Sequence, residues 1–243
     1  FGNNLRQILN ACIEAHKAQA HNLIIPQHWR FKKTDILIHG NNSKIQKRGR
    51  FFHPPNNPWF MNKARKMVEK YLQDLLWVSP EKPNTDQIVM HVRSGDIFRK
   101  GGASHNYFQP PYSYYLKCIE ATEKQSILVV TEKDMKNPII SQLEKDFSNN
   151  ITIQASSIGE DVKSILEAED LVIAKSTFSR MLSLFCPYLK KAHCPFWRYQ
   201  KSDENGIISA GYRFPGYRSG KWRNTIAQRR QMMDYPIDKI LKI

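Results

Sequence analysis

The 243 residues, 41% hydrophobic and 24% charged, are enough for one large domain or two lobes of roughly 100 to 150 residues with a buried core. No apolar run reaches the roughly 18 residues that span a bilayer, so no membrane segment is expected in this chain, and no signal-peptide pattern opens it. The net charge of +15, from 37 Lys and Arg against 22 Asp and Glu, points to an anionic partner: nucleic acid, an acidic membrane surface or a phosphate-bearing substrate. The basic residues are spread along the whole length, so charge alone does not choose. The first residue is Phe1 rather than methionine, as expected of a processed or excised piece of a longer chain.

Leu5, Ile8, Leu9, Cys12 and Ile13 recur at helical spacing, and a short apolar run at 23–25 stops at Pro26, which predicts a helix and then a strand. Residues 35–39 read as a second strand, and 40–58, rich in Asn, Gly, Pro and Arg, as an irregular connection. Phe60, Met67, Tyr71, Leu75 and Leu76 predict a long helix over 59–77 that closes a first lobe. Pro80 and Pro83 make 79–86 the best linker.

Beyond it, strands near 87–93, 126–132, 151–154 and 171–175 alternate with helices near 112–123, 137–147, 159–168 and 177–189. Such alternation, with nearly continuous apolar strands, is the signature of a parallel sheet covered on both faces. The second lobe, 86–200, is therefore expected to be Rossmann-like. Residues 201–243 lose the alternation, end in a possible helix, and are expected as an extension packing back on the first lobe.

The four cysteines, Cys12, Cys118, Cys186 and Cys194, lack the paired spacing of a zinc site. Cys12 and Cys118 fall on apolar stripes; Cys186 and Cys194 flank a turn and are placed to pair in an oxidising compartment, although nothing else marks a disulfide scaffold.

Three turns stand where a strand or loop feeds the next element. At the first, Phe1, Gly2, Asn3, Asn4, Leu5 and Arg6 stand just ahead of the opening helix, where exposed amides attract anions and a plain cap by Asn3 or Asn4 is the simpler role. At the second, the apolar run Ile88–Val92 stops at Arg93, Ser94, Gly95 and Asp96. An arginine there forks two bonds onto phosphate oxygens or pairs with Asp96, and glycine lets the backbone turn close to a ligand. At the third, Ser176, Thr177 and Phe178 follow an apolar strand, and the hydroxyls either cap a helix or hold a phosphate.

Glu160 and Asp161 suit a helix start, and Asp161 alternatively accepts bonds from a ribose or base. His105, Tyr107 and the tyrosines that follow could pack on sugar faces or belong to the core. No two aspartates are separated by a single residue, and neither a Walker A loop, a full dinucleotide glycine fingerprint nor a paired-histidine zinc helix is present. Metal-independent chemistry, with arginine and helix ends neutralising a diphosphate, is the consistent expectation.

The segment His91, Val92, Arg93, Ser94, Gly95, Asp96 resembles the His-any-Arg-Arg-Gly-Asp motif of α-1,2-fucosyltransferases and the His-any-Arg motif of protein O-fucosyltransferases and α-1,6-fucosyltransferases. Phe1, Gly2, Asn3, Asn4 resembles their opening Gly-Asn-Gln loop, and Asp170–Ser179 their late Ser-Thr-Phe-Ser motif. The resemblance covers most of the chain with short motifs in the right order. It implies an α/β, GT-B-like architecture of two Rossmann-like lobes with parallel sheets, the first (1–80) on the acceptor side.

It further implies an inverting, metal-independent glycosyltransferase that moves a sugar, fucose first, from a nucleotide diphosphate sugar to a hydroxyl of a glycan or glycoprotein, with no cofactor. By the same mapping Arg93 binds the β-phosphate and acts in catalysis, and Ser176, Thr177 and Phe178 line the nucleotide site. Gly2, Asn3 and Asn4 face the diphosphate or the acceptor. His91 and Asp161 are further nucleotide-sugar contacts, Asp96 orients Arg93 or acts as base, and His105 and Tyr107 are placed at the acceptor. The implied location is the Golgi or ER lumen in a eukaryotic cell, or the cytoplasm in a bacterial or viral setting.

Ser94 stands where the family has a second arginine, which leaves the donor open between a GDP-sugar and a UDP-sugar such as UDP-xylose. Two other classes compete. Tyr212, Phe214, Tyr217 and Trp222 interleave with Arg213, Arg218, Lys221 and Arg223, as in stacking-plus-phosphate binding of nucleic acid, although nucleic acid is not the expected partner. An inactive sugar-binding domain is the third.

Overall fold

The computed structural model describes residues 1–42, 49–51, 60–99, 107–195, 208–217 and 222–243. The chain opens with α1 (Gly2–Lys17), strands β1 (Asn22–Ile24) and β2 (Asp35–Leu37), and α2 (Phe60–Met67), which continues as a π-helical turn to Leu72. A run of alternating elements follows: β3 (Asn84–His91), α3 (Tyr112–Glu120), β4 (Ser126–Val130), α4 (Pro138–Asp146), β5 (Ile151–Gln154), α5 (Ile158–Leu166), β6 (Ala168–Val172), α6 (Thr177–Phe185) and β7 (Lys191–Pro195). β8 (Ile208–Arg213), α7 (Ile226–Asp234) and β9 (Leu241–Lys242) close it.

Seven strands form one sheet in the order β5-β4-β3-β6-β7-β8-β9, parallel throughout except for the last pair, where Tyr212 faces Lys242 and Arg213 faces Leu241. Counted from β3, the six parallel strands run 3-2-1-4-5-6, the order of the dinucleotide-binding fold, and the chain reverses direction across the sheet between β3 and β6. Side-chain alternation explains the burial. Ile88, Met90, Ile127 and Val129 enter one core with α3, α4 and α7, while Val89, Leu128, Val130 and Leu171 enter the other with α1, α2, α5 and α6. The described residues thus form an α/β Rossmann-like unit.

Two expectations are corrected. Residues 1–80 hold no parallel sheet among the described residues: β1 and β2 are three-residue strands paired antiparallel, with Ile24 and Leu37 exposed on their outer face. The apolar stripe of α1 is spent on the large sheet's helices, and Leu5, Leu9, Ile36 and Leu72 share one core with Val89 and Leu171. β8, α7 and β9 do not return to that region. β8 and β9 extend the large sheet, and Met232 of α7 lies in the core of the opposite face, with Tyr114 and Ile139. All four cysteines are free and buried, so Cys186 and Cys194 do not pair. Among the described residues no helix is long and apolar enough to cross a membrane.

Candidate functional site

Ligands of open α/β sheets collect beyond the carboxyl ends of the strands, at the point where strand order reverses. Here that point is a cleft of about 1130 Å³ above β3 and β6. Its β3 wall is the Arg93 turn. Gly95 adopts φ +65°, a backbone shape that favours glycine, and the β4–α4 connection clamps the turn. The amide of Ser94 donates to Glu132 Oε2 (2.5 Å), the Gly95 amide and the Ser94 hydroxyl both donate to Asp134 Oδ1 (2.9 and 2.8 Å), and Asn137 Nδ2 donates to the Arg93 carbonyl (2.9 Å). Burial opposes the charge on Asp134, but the bonds from Ser94 and Gly95 outweigh it and hold its pKa below the usual carboxylate range. Ser94 is fully buried.

Arg93 lies in the cleft with its guanidinium 4.9 Å from the centre of the Tyr107 ring. Its Nη2 meets both Asp96 oxygens, at 2.9 and 3.2 Å. Nε and Nη1 have no partner among the described residues, which leaves two donors for a ligand. His91, also on the lining, is buried and hydrogen-bonds through Nδ1 to Ser179 Oγ (2.9 Å). Burial, and then the charge of Arg93, bring its pKa down to about 3, so it is a neutral tie between β3 and α6.

The opposite wall consists of helix starts. Ser176 caps α6 by accepting from the Phe178 amide (3.1 Å). α1 begins directly against it: a Cβ on Gly2 would lie 2.6 Å from the Phe178 nitrogen, so only glycine allows the contact. Thr177 Oγ1 donates to Asn3 Oδ1 (3.0 Å), joining residues 174 apart in sequence. The cap of α1 is Phe1 without a side-chain bond, so neither Asn3 nor Asn4 caps it; Asn3 lines the cleft, and Asn4 is not on the lining. At the far end, Glu160 closes the capping box of α5 with Ser157. Asp161 instead faces the cleft, where burial raises its pKa despite a bond from Gln154 Nε2 (3.0 Å).

The cleft therefore gathers Gly2, Asn3, His91, Arg93, Asp96 and Tyr107, together with Asp161, Ser176, Thr177 and Phe178. His105 lies outside the described residues. Sequence reading included Arg6 only as the last residue of the first turn, with no role of its own, and missed Arg180, which stands inside an amphipathic helix and carries no local signal. It also missed Glu132 and Lys133, which had one: they follow the apolar run of β4 as Arg93 follows that of β3. Burial raises the pKa of Glu132, the cleft's other half-buried carboxylate beside Asp161.

Among the lining residues Arg6, Arg93, Lys133, Lys175 and Arg180 face Asp96, Glu132 and Asp161. The excess of two positive charges suits a dianion. The aromatic and basic segment near the end of the chain is different. Tyr212, Phe214 and Trp222 are core residues at 0, 5 and 5% exposure, so those rings are not open for bases to stack on. Among the described residues no group of three His, Cys, Asp or Glu is placed to hold a metal ion. A comparison with protein-family models, with curated proteins and with solved structures finds no match to this chain.

Proposed function

We propose that the protein is a glycosyltransferase of the fucosyltransferase type. In this reading the seven-stranded unit is the donor-binding half of a GT-B-like enzyme, and residues 1–80 face the diphosphate from the acceptor side. The observation that carries it is the meeting of three separate turns, at Gly2–Asn3, Arg93–Asp96 and Ser176–Phe178, in one cation-rich cleft at the reversal point of the sheet. A nucleotide sugar carries its two negative charges on the diphosphate, which matches the excess charge of the lining.

The reaction is a metal-independent displacement at the anomeric carbon by an acceptor hydroxyl, with inversion. Arg93 stabilises the charge that develops on the departing diphosphate through Nε and Nη1, and Asp96 holds its guanidinium in place. Glu132 is the better base of the two carboxylates beside Arg93. Asp96 has both oxygens engaged by Arg93, whereas burial makes Glu132 more basic despite the bond that its Oε2 accepts from the Ser94 amide. Asp161 lies at the α5 end, where the nucleoside is placed.

A thermal-shift panel of GDP, UDP and their fucose, xylose and glucose conjugates tests the reading and selects the donor, because a ligand of the native state raises its melting temperature. A clear shift with one base and its sugar conjugate is the expected result. No shift with any nucleotide overturns it.

A further inference from the structure

We propose that Arg6 and Arg180, with Lys175, form the seat of the donor's diphosphate, on the helix wall opposite Arg93. The inference rests on the nucleotide-sugar reading and extends it to Arg180, which none of the three turns contains, and to Arg6 and Lys175 at the edges of two of them.

The seat is built by the contact of two helices. Gly2 and Phe178 pack backbone to backbone, and the Asn3–Thr177 hydrogen bond fixes the first turns of α1 and α6 side by side. Arg6 follows Asn3 by three residues and Arg180 follows Thr177 by three. Each arginine therefore stands one turn beneath its own member of that bonded pair, on the same helix face. Both line the cleft, and Lys175 joins them from the end of β6. Arg180 is near enough to oppose the charge of both Arg6 and Lys175.

Arg6 and Lys175 are half-buried and Arg180 is exposed, so the like charges cost the free protein most at the first two, and an anion between them offsets that cost. The wall also supplies cationic charge that the β3 turn lacks, because Ser94 is buried against Asp134 where the resembling motif has its second arginine.

The two walls then divide the work. The helix wall holds the diphosphate equally in ground and transition states and sets affinity, whereas Arg93 meets charge that develops during transfer and sets rate. Calorimetric titration of the full chain with inorganic pyrophosphate, GDP and UDP tests this, alongside donor kinetics and melting of the free protein.

Arg6→Gln and Arg180→Gln should each weaken binding of pyrophosphate and of the preferred nucleotide at least about tenfold. Donor KM should rise while kcat stays within about twofold, and Arg6→Gln should melt above wild type when free. A merely structural arginine would lower that melting temperature. Wild-type Kd and KM in both variants overturn the seat while leaving the nucleotide-sugar reading intact if wild type transfers sugar. Pyrophosphate binding without transfer from any nucleotide sugar leaves the seat and overturns the reading. No binding of pyrophosphate or nucleotide by wild type overturns both.

Discussion

The two ends of the sheet treat charge in opposite ways. Toward the amino ends of β6 and β7 charges are matched within the protein. Glu169 pairs with Lys190 and with Lys124 (2.9 Å), and buried Asp170 accepts from Thr122 Oγ1 (2.6 Å). His193 Nε2 lies 3.0 Å from Asp170 Oδ1, and its Nδ1 meets Tyr212 OH at 2.8 Å. Beyond the carboxyl ends, Arg6, Arg180 and Lys175 are brought together with the same sign. The scaffold's charges answer one another in pairs; the cleft gathers five cations against three carboxylates.

The largest effects should come from crossing that division. Asp170→Ala leaves His193 and Thr122 facing a void in the core and should cost about 3 to 5 kcal/mol of stability, read from urea unfolding, with pyrophosphate affinity of the folded protein unchanged. Burial opposes the Asp170 charge, yet the His193 and Thr122 contacts win and depress its pKa. Its contribution is therefore complete above the unfolded carboxylate pKa and is lost as pH falls through the folded value. Wild-type stability in Asp170→Ala would show that the matched charges do not hold the sheet.

On the cleft side, Arg93→Ala should lose about 10² to 10³ in kcat, the value of one donor aimed at developing charge, with unfolding stability near wild type. Arg93→Lys should fail nearly as badly, because a point charge cannot reproduce two directed donors. Transfer by Arg93→Lys at most of the wild-type rate would remove Arg93 from the chemistry. Gly2→Ala joins the two kinds of effect. Its new methyl meets backbone rather than a side chain that could swing away, so α1 must shift off α6 at about 1 to 3 kcal/mol. The same shift should weaken pyrophosphate binding by separating Arg6 from Arg180; a loss of stability with unchanged Kd would uncouple the seat from the helix contact.

How far these two ends were readable before folding follows from the same contrast. β3, β4 and β6 announce themselves as apolar runs, and the turns after them could be found because a run that ends in Arg, or in Ser and Thr, is a local pattern. β7 escaped notice: its sequence, Lys-Ala-His-Cys-Pro, is polar for an internal strand, and it is held there by parallel pairing with β6 and β8 while buried His193 bonds Tyr212 on β8. β8 misled for a related reason. Tyr212 and Phe214 point inward while Arg213 is exposed, so a period-two strand looked like rings and cations sharing one surface. Arg180 was illegible because nothing local marks it, and Arg6, at the end of the first turn, could not be tied to it; only the contact between α1 and α6 makes them neighbours.

The smallest expected effect is the one that separates a like-charge seat from an ordinary basic surface. Burial, and then the charge of Arg180, bring the Lys175 pKa down to about 8. Between that value and its ordinary one near 10.5, the unfolded chain holds a proton that the folded chain has released, so Lys175 makes the free protein more stable as pH rises through this window. Binding runs the other way. A diphosphate favours the charged ammonium, so above pH 8 it must take up a proton to bind, and its affinity falls by up to about tenfold per pH unit. Lys175→Met, compared with wild type in pyrophosphate titrations and melts from pH 7 to 10, should flatten both trends together. A variant that flattened only the stability trend would place Lys175 beside the diphosphate seat rather than in it.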